Sequence, residues 1–310
     1  MESPSNTLTD HPVLRAILDP GPADRVALVV EGGGMRGAVS GGMGLALHEL
    51  GLADRFGAAY GSSAGALNAM WLISGHVEAG VPTWIDPDLN RELVDMKRLF
   101  GKRPIVDVET LVERRYEELA PGLFDDVLRA STGFHPIATD VDTGEAVDLH
   151  PEITDPVSLR LAIRASSTLP LLAGPPVELG GRRYLDAGLS AAIPFQAALD
   201  DGATHVLVLR SRKLGEVASD PTGLGGRLTS RMLGRISPAI ARNYLTRGRR
   251  EGRDEDFLAG HDETSRAPSI LQIRPAPDSP VPSRLESDTE VVRGGLEAGR
   301  EALLAAFGEG

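Results

Sequence analysis

The 310-residue chain contains no cysteine. That absence excludes disulfides, zinc–thiolate sites, iron–sulfur clusters and thiol nucleophiles, although it says little about compartment. No apolar run reaches the ~18 residues that a membrane span needs, and the opening MESPSNTLTDHPVLRAILDPG lacks the basic region and apolar core of a signal peptide. The expectation is a soluble cytoplasmic protein. The cation excess that nucleic-acid binding demands is missing too, since the net charge is −12. No nucleic-acid partner is expected.

What is present is an ordinary globular balance, 41% apolar and 25% charged, with 36 glycines and 22 prolines that imply many turns and close backbone approaches. The length suits one large α/β domain. Residues 1–24 read as a polar tail, 25–210 as the core and 211–310 as a C-terminal extension packed on the same domain. Within the core, RVALVV (25–30) is a short β-branched run of the kind buried on both faces of a sheet. The small-residue stretch MRGAVSGGMGLALHELGL reads as a helix packed very closely on that sheet. FGAAYGSSAGALNAMWLISG repeats the strand–turn–helix arrangement, and two such units in succession imply a parallel sheet with helices on its faces. Residues 80–130 read as a peripheral helical layer, FHPIATDVDTGEAVDLH as a hairpin turning at 142–144, and DPVSLRLAIRASSTLP as a helix capped by Asp155. THVLVLR and SILQIR supply late strands before a terminal helix over about 286–307.

Two glycine-framed turns carry the chemistry. Gly61-Ser62-Ser63-Ala64-Gly65 matches G-x-S-x-G between a strand and a helix, the context that projects the central serine as a nucleophile. A glycine-rich helix start without chemistry is the plain alternative. Gly32-Gly33-Gly34-Met35-Arg36-Gly37 fits G-x-G-x-x-G, yet a dinucleotide site wants an acid at the end of the second strand, where Gly61-Ser62-Ser63 stands instead; Asp54 precedes that strand. No Lys-Ser/Thr follows, which excludes a Walker A loop. The remaining readings are an oxyanion hole of unhindered amides, and close helix–sheet packing. For a base, the usual hydrolase order leaves His76, His135, His150, His205 and His261 after the serine. His205 opens a buried strand and reads as structural, His261 sits in a polar loop, and neither has a convincing frame. Asp186, in YLDAG at a strand end, competes with them, an Asx turn being its bland reading.

GGGMRG, GSSAG, ASSTLP (165–170) and DAG, in that order, with ATDVDTGEAV between the second and third, resemble the patatin-like phospholipases over about residues 25–210. The resemblance implies a three-layer α/β/α sandwich with a mostly parallel central sheet, distantly like the α/β-hydrolases. It implies Ser63 as nucleophile, Asp186 as general base, and an oxyanion site at Gly32, Gly33, Gly34, Arg36 and Gly37, with the amides of Gly33 and Gly34 as donors. Gly61, Gly65, Ala187 and Gly188 are the remaining motif positions, and neither cofactor nor metal is implied. The family usually has glycine where this chain has Ala187; a positive φ there would strain alanine and misplace the carboxylate.

One stretch departs from the acidic average. Residues 227–253 hold eight arginines and one acid, Glu251, and read as a basic helix with Arg227, Arg231 and Arg235 on one face. Two readings compete: docking on anionic lipid headgroups, or pairing with the protein's own acids. The leading functional hypothesis is a serine acyl hydrolase of lipid esters. The others are a soluble esterase or thioesterase with a Ser-Asp-His triad, and a non-catalytic nucleotide-binding protein using Gly32 to Gly37.

Overall fold

A computed structural model describes residues 10–95, 97–98, 104–216, 220–262 and 267–309. Its centre is one eight-stranded sheet built from β1 (Val26–Val30), β2 (Ala58–Ser62), β3 (Gly133–Asp140), β4 (Ala146–Asp148), β5 (Val177–Leu179), β6 (Arg182–Asp186), β7 (His205–Leu209) and β8 (Ser269–Ile273). The order is β5-β6-β3-β2-β1-β7-β8, with β4 also on β3. β3, β2, β1, β7 and β8 run parallel; β4 and β6 oppose β3, and β5 opposes β6.

Strand side chains alternate between two helical layers. Val26, Leu28 and Val30 enter one apolar cluster with Met43, Leu47 and Met70, while Ala27 and Val29 enter another with Phe195, Ala198 and Leu258. Every residue of β1 is buried, as a central parallel strand requires. Crossover connections leave the β1 and β2 turns together at the carboxyl edge of the sheet, where ligands of open α/β sheets are held. Register then brings in β6: Ser62 opposes Ile137, and Asp186 opposes Ala138, so the elbow and the carboxylate flank β3 one residue apart.

Three sequence expectations are corrected. The N-terminal segment is not polar throughout: Pro12–Leu18 is a helix whose Val13, Leu14 and Ile17 are buried in the main core. The close packing of the Gly37–Glu49 helix is on neighbouring helical segments rather than the sheet: a Cβ on Gly42 would lie 1.9 Å from the carbonyl oxygen of Leu296 in the Thr289–Ala306 helix, and one on Gly37 2.6 Å from the Trp84 ring. The basic stretch is two helices, Leu224–Leu233 and Pro238–Asp262, because Pro238 suits the first turn of a new helix and not the interior of an old one. The last hundred residues also supply β8, which extends the sheet beside β7. Among the described residues no helix is long and apolar enough to cross a membrane.

Candidate active site

β2 runs directly into the Ala64–Ile73 helix, and Ser63 is the corner between them at φ +53° and ψ −124°. Only glycine adopts such a conformation without strain, so its occupation by serine marks a functional outlier. The glycines two residues either side are required by contact. A Cβ on Gly61 would stand 2.4 Å from the Cα of Ala66, and one on Gly65 would stand 2.2 Å from the carbonyl oxygen of Val30. The Ser63 N–H donates to the Ser166 hydroxyl at 3.0 Å, which fixes the corner from the opposite side.

Asp186 ends β6, 3% exposed. Its Oδ1 accepts the Gly188 N–H at 2.8 Å, its own N–H donates to the Thr168 carbonyl at 2.9 Å, and its carbonyl accepts the Thr139 hydroxyl at 2.8 Å. Its Oδ2 is buried with no hydrogen-bond partner among the described residues. Burial pushes this carboxyl above the ordinary range, while the Ser63 hydroxyl, the Gly188 amide and the Arg284 charge pull it back. Ala187 is not strained: it opens a 3-10 turn and lies outside the positive-φ set. The space constraint has moved to Gly188, where a Cβ would sit 2.9 Å from Asp186 Oδ1.

Of the glycine run, Gly32 donates its N–H to the Ala192 carbonyl and Gly37 donates to the carbonyls of Gly34 and Met35, so neither amide is free for an oxyanion. Among the described residues Gly33 and Gly34 have no such partner, and they line the same cavity as Ser63 and Asp186. Gly34 is held at φ +61°, and a Cβ there would meet the Arg284 carbonyl oxygen at 2.5 Å. Arg36 turns away to pair with Glu216 and to donate to the Pro282 carbonyl at 3.3 Å.

Two cavities meet at Ser63. One, of about 130 Å³, is walled by Leu67, Trp84, Leu89, Leu93, Val106 and Tyr116. The other, of about 420 Å³, holds Gly33, Gly34 and Asp186 and is roofed by Thr229, Leu233 and Tyr244. Leu171, the other non-glycine at positive φ, lines the second. No histidine lines either one among the described residues. The five candidate histidines are engaged elsewhere: His76 with Asp126, His135 with Asp148, His150 with the Phe134 carbonyl, His205 with Thr204, and His261 with the Phe257 carbonyl.

Arg227, Arg231 and Arg235 lie outside the cavity, exposed and without an ion pair among the described residues. The self-pairing reading of that face therefore does not hold. Sequence reasoning missed Ser166, Thr168 and Thr139 as positioning groups, although they fall inside the ASSTLP and ATDVDTGEAV stretches on which the resemblance rests.

A mostly parallel sheet flanked by helices, with Ser63 at its carboxyl edge, defines an α/β fold. Residues 28–199 match the sequence model of the patatin-like phospholipases, and the chain belongs to that family. A protein of Escherichia coli (strain K12), "Uncharacterized protein YjjU", is 32% identical over 197 residues, 60% of this chain and 52% of its own. The chain thus spans about half the length of that curated relative. VipD from Legionella pneumophila is similar in structure at a TM-score of 0.44 and 14% identity, over 92% of this chain and 67% of its own.

Proposed function

We propose that the protein is a serine acyl hydrolase of lipid esters, of the phospholipase A or lysophospholipase type, working through a Ser63–Asp186 dyad. The observation that carries this reading is the convergence at one cavity of a serine at positive φ, a buried carboxylate on which its hydroxyl acts, and the Gly33 and Gly34 amides, which have no backbone partner among the described residues. Membership of the patatin-like phospholipases supports the lipid ester as substrate.

Ser63 Oγ attacks the ester carbonyl as Asp186 Oδ2 takes its proton, and the carbonyl oxygen becomes an oxyanion met by the Gly33 and Gly34 N–H groups. The C–O bond to the alcohol breaks, Asp186 returns the proton to the departing alkoxide, and an acyl-Ser63 ester remains. Water, deprotonated by Asp186, then attacks the acyl carbon; the carboxylic acid leaves and Ser63 regains its proton. The narrow apolar cavity beside Leu67 and Leu93 suits the acyl chain, and the wider one suits the alcohol side.

Contact with an anionic lipid surface is part of the same proposal. Its support is the outer face of the Leu224–Leu233 helix, where Leu224 and Leu228 are 87% and 62% exposed beside Arg227 and Arg231. The inner face of that helix presents Thr229 and Leu233 to the cavity, so lipid contact and substrate entry share one element.

The test is p-nitrophenyl butyrate hydrolysis by wild type and Ser63→Ala. Turnover that vanishes in the variant supports the reading, and turnover that survives it removes Ser63 from the mechanism.

A further inference from the structure

The C-terminal segment beyond the family match reaches the site through Arg284. Its carbonyl accepts the Met35 N–H at 3.1 Å and is the group pressed against Gly34, so the chain at 284 is clamped to the glycine run. Arg284 lines both cavities, as do Ser63, Gly34, Leu169 and Leu285, and its side chain is 41% exposed. Arg247, from the Pro238–Asp262 helix, lines the wider cavity beside it.

These two guanidiniums lack the partners their neighbours have. Arg210 and Arg212 are buried and paired with Glu31, Glu251 and Glu255. Arg284 has only Glu251 at 4.0 Å, a carboxylate that Arg212 already holds at 2.7 Å. Arg247 makes no ion pair among the described residues; its Nε is buried without a hydrogen-bond partner, and its guanidinium lies 5.1 Å from the Tyr244 ring. Arg36, Arg212 and Arg247 act on Arg284 as like charges, against Glu251 and the carboxylate of Asp186. Positive charge is therefore concentrated at the wall of one cavity in a chain whose net charge is −12. A neutral ester would offer it no charged acceptor. A phosphate or carboxylate would accept from both forks, as charge-assisted bonds to guanidinium do.

We propose that Arg284 and Arg247 form an anion subsite on the leaving-alcohol side of Ser63, which selects acyl esters whose alcohol carries a phosphate or carboxylate close to the ester. This rests on the acyl-hydrolase reading of Ser63 and adds to it two headgroup-selecting residues outside the matched segment 28–199. Both act on binding and orientation of the substrate and on no bond that breaks.

The experiment compares kcat/KM for 1-acyl-glycerol 3-phosphate with that for the monoacylglycerol of the same chain, in wild type, Arg284→Gln, Arg284→Lys and Arg247→Gln. The expected wild-type ratio favours the phosphate ester, and the ratio drops by about tenfold in each Gln variant, the size of one lost charge-assisted bond, with partial recovery in Arg284→Lys. Inorganic phosphate and glycerol 3-phosphate are then tried as competitors of p-nitrophenyl butyrate hydrolysis. Competition by glycerol 3-phosphate that weakens in Arg284→Gln supports a headgroup subsite, whereas equal competition by inorganic phosphate assigns the same residues to a free anion and overturns the headgroup. A ratio near one in wild type, or Gln variants that lose both substrates equally, overturns the proposal. A folded wild type that hydrolyses no ester at all defeats the Ser63 reading instead, which keeps the two failures distinct.

Discussion

Asp186 is the residue on which the proposed chemistry turns. A carboxylate is a weak base at its ordinary pKa, and burial here raises it toward the range where proton transfer from serine costs less. The base must be ionised to act, so kcat/KM is predicted to fall as pH drops through that raised pKa, with an acid limb above the ordinary carboxylate value; a limb at or below it would contradict the assignment. Asp186→Asn is expected to lower kcat by about 10³ while thermal unfolding shows the fold retained. Gly34→Ala should do comparable damage by another route, since it adds both φ strain of about 1–3 kcal/mol and a contact at 2.5 Å with the Arg284 carbonyl. Loss of activity with a lowered Tm is the expected result. At this scale much was legible: the glycines at 61 and 65 announce close approach, and the structure shows what is approached. Two features were not. The amide of Gly32 is spent on Ala192, a residue 160 positions away, and the missing glycine at 187 is harmless because the turn bends at negative φ. Neither fact is carried by local sequence.

Elements answer to their partners as much as to their own periodicity. β1 was readable because a strand buried on both faces must be apolar throughout, and β2 because its short run leads into a glycine-framed turn. The helix Gly37–Glu49 was readable as closely packed, but not against what: its Gly42 admits Leu296 and Arg300 of the C-terminal helix, and Gly299 in turn admits the Val39 carbonyl. Gly42→Ala is predicted to destabilise the protein by about 1–3 kcal/mol, with urea unfolding as the check, because a Cβ 1.9 Å from a carbonyl forces the two helices apart. The helix Pro12–Leu18 was hidden by its polar flanks, though His11 and Pro12 at its start are ordinary opening residues. For the Leu224–Leu233 helix the lipid-contact proposal predicts co-sedimentation with vesicles containing phosphatidylserine and little with phosphatidylcholine alone. Replacing Arg227, Arg231 and Arg235 together by glutamine should cut that binding by about 100-fold, at roughly 1 kcal/mol per cation. Equal binding to both vesicle types would remove the electrostatic role.

Across the whole molecule, a buried charge network outside the arginine-rich stretch's own cations ties the sheet to the C-terminal third. Glu31, fully buried at the end of β1, receives Arg210 at 2.9 Å and Arg212 at 3.2 Å, and those arginines continue to Glu255 and Glu251 of the Pro238–Asp262 helix. The strand that opens the glycine run is thereby tied to the C-terminal third. Burial alone would push the Glu31 carboxyl up; Arg210 and Arg212 outweigh it and hold it at about 2, below its ordinary 4.5. Its contribution to stability is therefore complete above about 4.5 and is lost as pH falls toward 2. Glu31→Gln should cost about 3–5 kcal/mol at neutral pH by leaving two buried guanidiniums short of charge, and much less at pH 3, which a Tm series against pH would display. Long-range pairing of this kind joins positions some 180 and 220 residues apart, and no motif or period announces it.

The central claim is that Ser63 is an activated nucleophile, and intact-mass spectrometry after fluorophosphonate treatment tests it most directly. The account predicts a single stoichiometric adduct that maps to the Ser63 peptide, is absent in Ser63→Ala, and forms far more slowly in Asp186→Asn. A folded wild-type protein that takes no adduct, or takes it on another serine, would contradict it.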